Sequence, residues 1–243
     1  MINYEVNPVL VENIFSEEDY KFLYTQIAKT PKQLISKVED TGYIAKSDPT
    51  KNQLKDVIQK RVEELSGFEL DKYMIHHARY TLESNNIPRL FPHYDRGLEF
   101  STFTISIILD STFDWDIYVE GVGVPVRKNQ GVFLSGSNQV HWRPPHTFKE
   151  SDYYDILVCQ FRVKSDTNIL TDKHREYMDN KVGKYMAQYF RDYPPFGENP
   201  KEWIHEEYIV KNRTISDISE SLNMPADAFS FFLHKYDFPI RNT

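Results

Sequence analysis

The sequence predicts a mainly β domain with flanking helices, an α+β arrangement, followed by a small helical domain at the C-terminus. Three observations carry this. Between residues 73 and 163, runs rich in β-branched and aromatic residues alternate with Pro, Gly, Asn and Asp turn signals at near-regular intervals, the pattern of an all-β sandwich or barrel. Apolar residues recur at helical spacing on both sides of that stretch. The segment Tyr193-Pro-Pro-Phe-Gly-Glu-Asn-Pro200 is the clearest linker in the chain.

Taken in order, Val9 to Phe15 reads as a strand. Ser16 with Asp19 three residues on resembles a capping box and opens a helix through Tyr20, Leu23, Tyr24 and Ile27, which Pro31 ends. A second helix runs from about Thr50 to Ser66, with Leu54, Val57, Ile58, Val62 and Leu65 on one stripe. Tyr73 to Tyr80 is a strand, broken by Asn85-Asn86-Ile87-Pro88 before Phe91-Pro92-His93. Phe103 to Leu109 alternates apolar and hydroxyl residues; Trp115 to Val119 and Val124 to Arg127 follow. Gly131 to Gly136 leads into Val140 to Arg143, stopped by Pro144-Pro145, and Tyr153 to Val163 is a last long strand. Residues 1–170 thus form the β domain with its N-terminal helices, 171–192 a connecting helix, 193–200 the linker and 201–243 a helical domain.

The 243 residues, 40% hydrophobic and 27% charged, fit a soluble globular protein, and no apolar run approaches the roughly 20 residues of a membrane span. The opening Met-Ile-Asn-Tyr-Glu lacks the basic and apolar regions of a secretory signal, and the single cysteine, Cys159, has no intramolecular disulfide partner. A cytoplasmic location is the expectation. A net charge of −7 argues against binding nucleic acid through general positive charge.

The chemistry rests on His93-x-Asp95 and a lone downstream His141. In an extended chain, residues two apart line the same face, so His93 and Asp95 point together. Two imidazoles and one carboxylate can hold Fe(II) on one face and leave positions for an oxidant and a co-substrate. The triplet alone is weak, since eight histidines and 36 acidic residues give about one by chance. His174-x-Glu176 and His205-x-Glu207 fall in helical segments, where residues two apart diverge by roughly 200° and share no metal.

Arg79-Tyr80, Pro92-His93-Tyr94-Asp95, the run Phe103 to Asp110, and Gly131 before His141 resemble the 2-oxoglutarate/Fe(II)-dependent oxygenases, nearest the prolyl-4-hydroxylase-like branch. The resemblance covers roughly residues 8 to 163. It implies a double-stranded β-helix, or jelly roll, with His93, Asp95 and His141 as metal ligands at one mouth. It also implies Fe(II) as cofactor, 2-oxoglutarate as co-substrate, and O₂. Oxidative decarboxylation to succinate and CO₂ would then be coupled to hydroxylation of a C–H bond. The family usually places an Arg or Lys near the position of Tyr153 to bind the far carboxylate of 2-oxoglutarate, and here the sequence departs from it. Arg143, two residues past His141, is the favoured replacement because its fork suits a carboxylate. Lys149 and Arg162 are the others. Tyr80 matches a family tyrosine that helps bind the same carboxylate, and Thr104 another pocket position.

In the C-terminal segment Trp203 to Val210, Thr214 to Leu222 and Ala226 to Tyr236 read as short helices, and the last two resemble a helix-turn-helix. From Arg191 onward there are six Lys/Arg against nine Asp/Glu, a net charge of −3, which disfavours DNA. A docking or substrate-presenting module fits better. Two rival readings are a DNA-binding protein whose jelly roll is a sensor or scaffold, and a metal-free jelly-roll binding module whose histidines are satisfied by hydrogen bonds. Trp115 and Trp142 read as packing residues, His76-His77 as a strand pair, and His146 as a loop residue that replaces His141 only if Pro144-Pro145 folds back. Substrate identity is open among small metabolite, peptide, free amino acid and nucleobase.

Overall fold

Alternation along a single strand sets the architecture of the β domain. In a computed structural model, which describes residues 6–29, 35–38, 42–45, 53–82, 90–95, 102–164, 171–196, 199–222, 224 and 226–241, Thr102–Ser111 is one extended strand. Phe103, Ile105, Ile107 and Leu109 project to one side and Thr104, Ser106 and Ile108 to the other, so one sheet serves a helix-covered core and a second, polar-lined interior.

We number the strands β1 (Val9–Val11), β2 (Ile35–Val38), β3 (Gly42–Ala45), β4 (Leu70–Thr81), β5 (Leu90–His93), β6 (Thr102–Ser111), β7 (Ile117–Val119), β8 (Val122–Val124), β9 (Gly131–Leu134), β10 (His141–Arg143) and β11 (Tyr153–Val163). They form two antiparallel sheets, a seven-stranded one in the order β1-β9-β6-β11-β4-β3-β2 and a four-stranded one in the order β5-β10-β7-β8. The long pairings of β11 with β4 and β6 make the spine of the larger sheet.

Helices α1 (Glu17–Lys29) and α2 (Gln53–Ser66) bury Leu23, Ile27, Leu54, Ile58 and Val62 against the outer face, where Ile105, Leu157, Cys159 and Phe161 meet them. Burying each such side chain contributes roughly 1.5–3 kcal/mol. Ser16 caps α1 as its sequence indicates: its Oγ accepts from the Asp19 amide at 3.1 Å and donates to the Asp19 carboxylate at 2.8 Å. Between the sheets, Ile108, Leu134, Tyr154 and Ile156 pack on Trp115, Ile117 and Val119.

The first strand is shorter than its sequence suggests. The chain leaves the sheet after Val11, Asn13 takes a positive φ of 49°, and Asn129 ties the bend by accepting from the Phe15 amide and donating to the Phe15 carbonyl. The strand expected at Val124–Arg127 lies earlier, at Val122–Val124. The hairpin of β2 and β3 has no counterpart in the sequence reading, because its short runs mix lysine with apolar residues and show no clean period. The stop at Pro31, the start at Thr50, the break at Asn85-Asn86-Ile87-Pro88, linker residues Gly197-Glu198 and turn residues Asn223 and Pro225 lie outside the described residues.

The chain divides into two compact units, Met1–Met178 and Asp179–Thr243, the division falling inside helix α3 (Asp172–Asp192). In the second unit, α4 (Pro200–Ile204) starts on a proline, which suits a first helical position, and runs on as a π-helical stretch, His205–Val210. Thr214 and Asp217 form a full capping box at the start of α5 (Ile215–Ser221), and α6 is Ala226–Lys235. Phe196, Tyr208, Ile218, Phe229, Phe232 and Leu233 are its buried core. Near the C-terminus, the Arg241 guanidinium lies 3.9 Å over the Tyr208 ring and donates to the carbonyls of Tyr208 and Arg213.

Candidate metal centre and adjoining pocket

Strand pairing brings the metal-ligating residue types together. β5 and β10 are neighbours in the smaller sheet with His93 opposite His141, and the two ring centroids are 4.3 Å apart. Asp95 follows two residues after His93, where its amide donates to the Gly136 carbonyl at 2.8 Å. Its Oδ1 lies 3.8 Å from His93 Nε2 and 3.6 Å from His141 Nε2. One ligand atom from each of the three residues falls within 4.8 Å of the others, the one such cluster among the described residues.

The tautomers follow from the neighbours. His93 Nδ1 lies 2.8 Å from the Phe91 carbonyl and His141 Nδ1 3.1 Å from the Gln139 carbonyl. A carbonyl can only accept, so each Nδ1 carries a hydrogen and each Nε2 faces Asp95. Outer carbonyl partners of this kind fix ring orientation for a metal. The second carboxylate oxygen is held too, since the Thr104 hydroxyl donates to Asp95 Oδ2 at 2.5 Å. Gly136 makes room for both groups: a Cβ there would lie 2.2 Å from Asp95 Oδ2 and 2.2 Å from Thr104 Oγ1.

Charge is arranged to match. Burial, aided by the neighbouring His141, pushes His93 down to about 4, so it is neutral at physiological pH. Burial would raise Asp95, but the two imidazoles and the Thr104 hydroxyl outweigh it and hold the carboxyl well below its usual range. Burial opposes the charged form of His141 as well, yet the Asp95 carboxylate wins and its pKa is raised. The donor set is therefore an ionised carboxylate and two imidazoles sharing one removable proton, which suits a borderline divalent metal such as Fe(II).

The centre opens on a cavity of about 260 Å³ between the two sheets. Arg143 lies in its wall, 1% exposed, and is the only Lys or Arg among the described lining residues. Its Nη1 donates to the Trp115 carbonyl at 2.5 Å and to the Tyr154 hydroxyl at 3.1 Å, and its guanidinium sits over the Tyr154 and Trp115 rings at 5.0 and 5.4 Å. Tyr80 lines the same end, edge-on to Trp115 at 5.1 Å, and burial raises its hydroxyl to about 12 despite the opposing Arg143 charge. Thr104 lines the cavity but spends its hydroxyl on Asp95.

The other cations lie elsewhere. Lys149 is exposed in the loop before β11, where its amide donates to Asp152, and Arg162 forms a bidentate pair with Asp71. His146 stacks on Phe113 at 3.8 Å and faces Asp152, away from the metal cluster. His76 and His77 take opposite faces of β4. His76 lines the cavity, held below its usual pKa by burial, while His77 joins Arg79 on the buried Asp155 carboxylate. His174 is on helix α3, with Nε2 3.2 Å from the Ser137 carbonyl. Sequence reasoning passed over Tyr154, Gly136 and Gln160, all of which touch or line the site.

No known family profile matches the chain, and neither does any curated protein. Solved structures do share its fold. SnoN, described as a non-heme alpha ketoglutarate dependent epimerase from nogalamycin biosynthesis, superposes with a TM-score of 0.51 at 13% identity over 64% of this chain and 78% of its own. SnoK, described as a non-heme alpha ketoglutarate dependent carbocyclase from the same biosynthesis, gives 0.51 at 16% identity over 64% and 79%. AviO1 from Streptomyces viridochromogenes Tue57 gives 0.51 at 11% identity over 68% and 94%. At such identities the likeness is one of fold, and the chain has the fold of non-haem, 2-oxoglutarate (alpha ketoglutarate)-dependent enzymes.

Proposed function

We propose that the protein is an Fe(II)- and 2-oxoglutarate-dependent dioxygenase that hydroxylates an organic substrate. One observation carries the reading: a His-Asp-His cluster and a buried guanidinium line one cavity, His141 and Arg143 sharing one short strand. Metal, co-substrate and O₂ together supply the oxidising power, with release of succinate and CO₂. The chain's own residues do the rest. His93, Asp95 and His141 hold the metal, and Thr104 with the Phe91 and Gln139 carbonyls fixes their orientation. Arg143 is two residues beyond His141, roughly 7 Å along a strand, a separation that a five-carbon dicarboxylate can span. Its fork would take the far carboxylate, with the Tyr80 and Tyr154 hydroxyls beside it. The aliphatic wall of Ala78, Ile117, Leu134 and Ile156 excludes water, which strengthens that ion pair.

The prolyl-4-hydroxylase-like placing rests on the motifs around Tyr80, His93 and Phe103 and leaves the substrate open. We read α5 and α6 as a helix-turn-helix-like pair serving to dock a partner or present substrate, since the −3 charge of the segment from Arg191 onward opposes phosphate binding.

The test is succinate formation from 2-oxoglutarate with Fe(II) and O₂, alongside Mn(II) affinity by calorimetry. Asp95→Ala should abolish the first and lower the second by at least about 100-fold, because loss of a ligand costs more than loss of its outer partner. Circular dichroism should show the sheets intact. Unchanged Mn(II) affinity in Asp95→Ala would defeat the assignment.

A further inference from the structure

We propose that Gln160, with Ser106 and His76 beside it, forms the substrate-recognition wall of the cavity and selects a neutral hydrogen-bonding group, an amide or hydroxyl, over an anion. This rests on the reading above for the roles of Arg143 and the metal cluster, and it names the class of substrate that reading leaves open.

Gln160 lies on the inner face of β11, 5% exposed, and lines the cavity. Its Oε1 is buried with no hydrogen-bond partner among the described residues. An amide left in that state costs stability, and a leucine of similar size would not. Polar groups kept at such a cost mark places where a ligand completes the bonding. Thr104, opposite Gln160 in the β11–β6 register, donates its own hydroxyl to Asp95.

Position separates this amide from the co-substrate end. Along the inner face of β11 run Tyr154, Ile156, Val158 and Gln160, so six residues, roughly 20 Å of strand, divide the amide from the tyrosine that holds Arg143. Gln160 belongs to the metal end. Ser106 and His76 stand on either side of Val158, one on β6 and one on β4, and both line the cavity. Neighbouring strands are roughly 4.8 Å apart, so the three polar groups make one patch on adjacent strands.

The patch is uncharged. Ser106 and Gln160 carry no charge, and burial holds His76 below its usual pKa, against its charged form, despite the pull of Asp95. The formal charges in the wall are placed elsewhere, Asp95 on the metal and Arg143 at the far end. A carboxylate presented to this patch would lose its hydration and gain no cation from the described residues, whereas an amide or hydroxyl would exchange water for Gln160 and Ser106 at little loss.

Gln160→Leu tests this with three readouts on the full chain. Removing an unsatisfied buried amide should raise the Tm by about 2–4 °C; a fall would mean that the amide has a structural partner and would overturn the proposal. With Zn(II) and 2-oxoglutarate present, benzamide and its isosteric anion benzoate are titrated by ligand-observed NMR. Wild type should prefer benzamide by about tenfold or more, and Gln160→Leu should lose about tenfold for benzamide and little for benzoate. Equal binding of the two probes, or benzamide binding that ignores the substitution, would overturn it. The affinity for 2-oxoglutarate by calorimetry should stay within about twofold; a marked loss would put Gln160 in the co-substrate site and sink the idea. If wild type takes up no 2-oxoglutarate, the co-substrate role of Arg143 fails, while the two probes still decide for or against Gln160 on their own.

Discussion

Arg143 decides how the cavity handles charge. Its buried guanidinium donates to a carbonyl and a phenol and lies over two ring faces, and its planar fork suits an incoming carboxylate. Arg143→Ala should raise the 2-oxoglutarate KM by about 100-fold, the loss expected for a desolvated charge-assisted pair, while the Fe(II) requirement stays near wild type. Lys149→Ala, at an exposed loop position, should change neither; a rise in KM there would transfer the role. Much of this was legible at the residue scale. His93-x-Asp95 with His141 stands out because a two-residue spacing on a strand fixes a shared face, and the same rule carries Arg143 to the side of His141. Tyr154 was not legible. Both faces of β11 are apolar and buried, so nothing in the pattern says whether Tyr153 or Tyr154 looks inward. The structure turns Tyr153 to Asp110, on the far side, and Tyr154 to Arg143.

At the scale of elements, the segment between β9 and β10 carries as much of the site as the strands do. Ser135 and Gln139 close it, the Gln139 side chain accepting from the Ser135 amide at 2.8 Å, and this places the Gly136 carbonyl on the Asp95 amide. Gly136→Ala should push the Asp95 carboxylate and Thr104 hydroxyl apart and cost about 10–100-fold in Mn(II) affinity. Leu157→Ala on the outer face is the matched control. It should cost about 2–5 kcal/mol in denaturant unfolding, as buried leucine truncations do, and leave Mn(II) affinity near wild type. Equal metal loss in both variants would mean that Gly136 acts only through general stability. The long strands and both N-terminal helices were legible, because 10 to 14 residues of period 2 or 3.6 outweigh local noise. The three-residue strands were legible in place but less so in bounds: β10 falls within Val140–Arg143, β1 is shorter than Val9–Phe15, and β8 lies before Val124–Arg127, because their partners set their ends, while Gly136 is fixed by a contact 41 residues away in sequence.

Across the whole molecule, the buried charges link metal binding, folding and pH. His141 has a folded pKa above its unfolded value of about 6.5, so the stability it draws from Asp95 is fully present below that value and is lost as pH rises through the raised one. His93, held at about 4, and His76 run the opposite way. They stay neutral while the unfolded chain protonates, so stability falls as pH drops below about 6.5. Asp95 and Asp155 are both lowered; burial opposes this, but the imidazoles around Asp95 and the Arg79 and His77 partners of Asp155 outweigh it. Their contribution is present above about 3.9 and is lost as pH falls through their folded values. The metal-free protein should therefore be most stable at about pH 6.5, declining toward acid and toward the raised pKa of His141. A bound metal takes the place of the proton on His141 Nε2, so it should remove the alkaline decline and release close to one proton per metal below that pKa, falling to none above it. Calorimetric titration of Zn(II) in two buffers of different ionisation enthalpy counts those protons, and a Tm profile with and without metal tests the stability limb. Proton release that is zero across the range would mean that the Asp95–His141 pair is not the group the metal displaces.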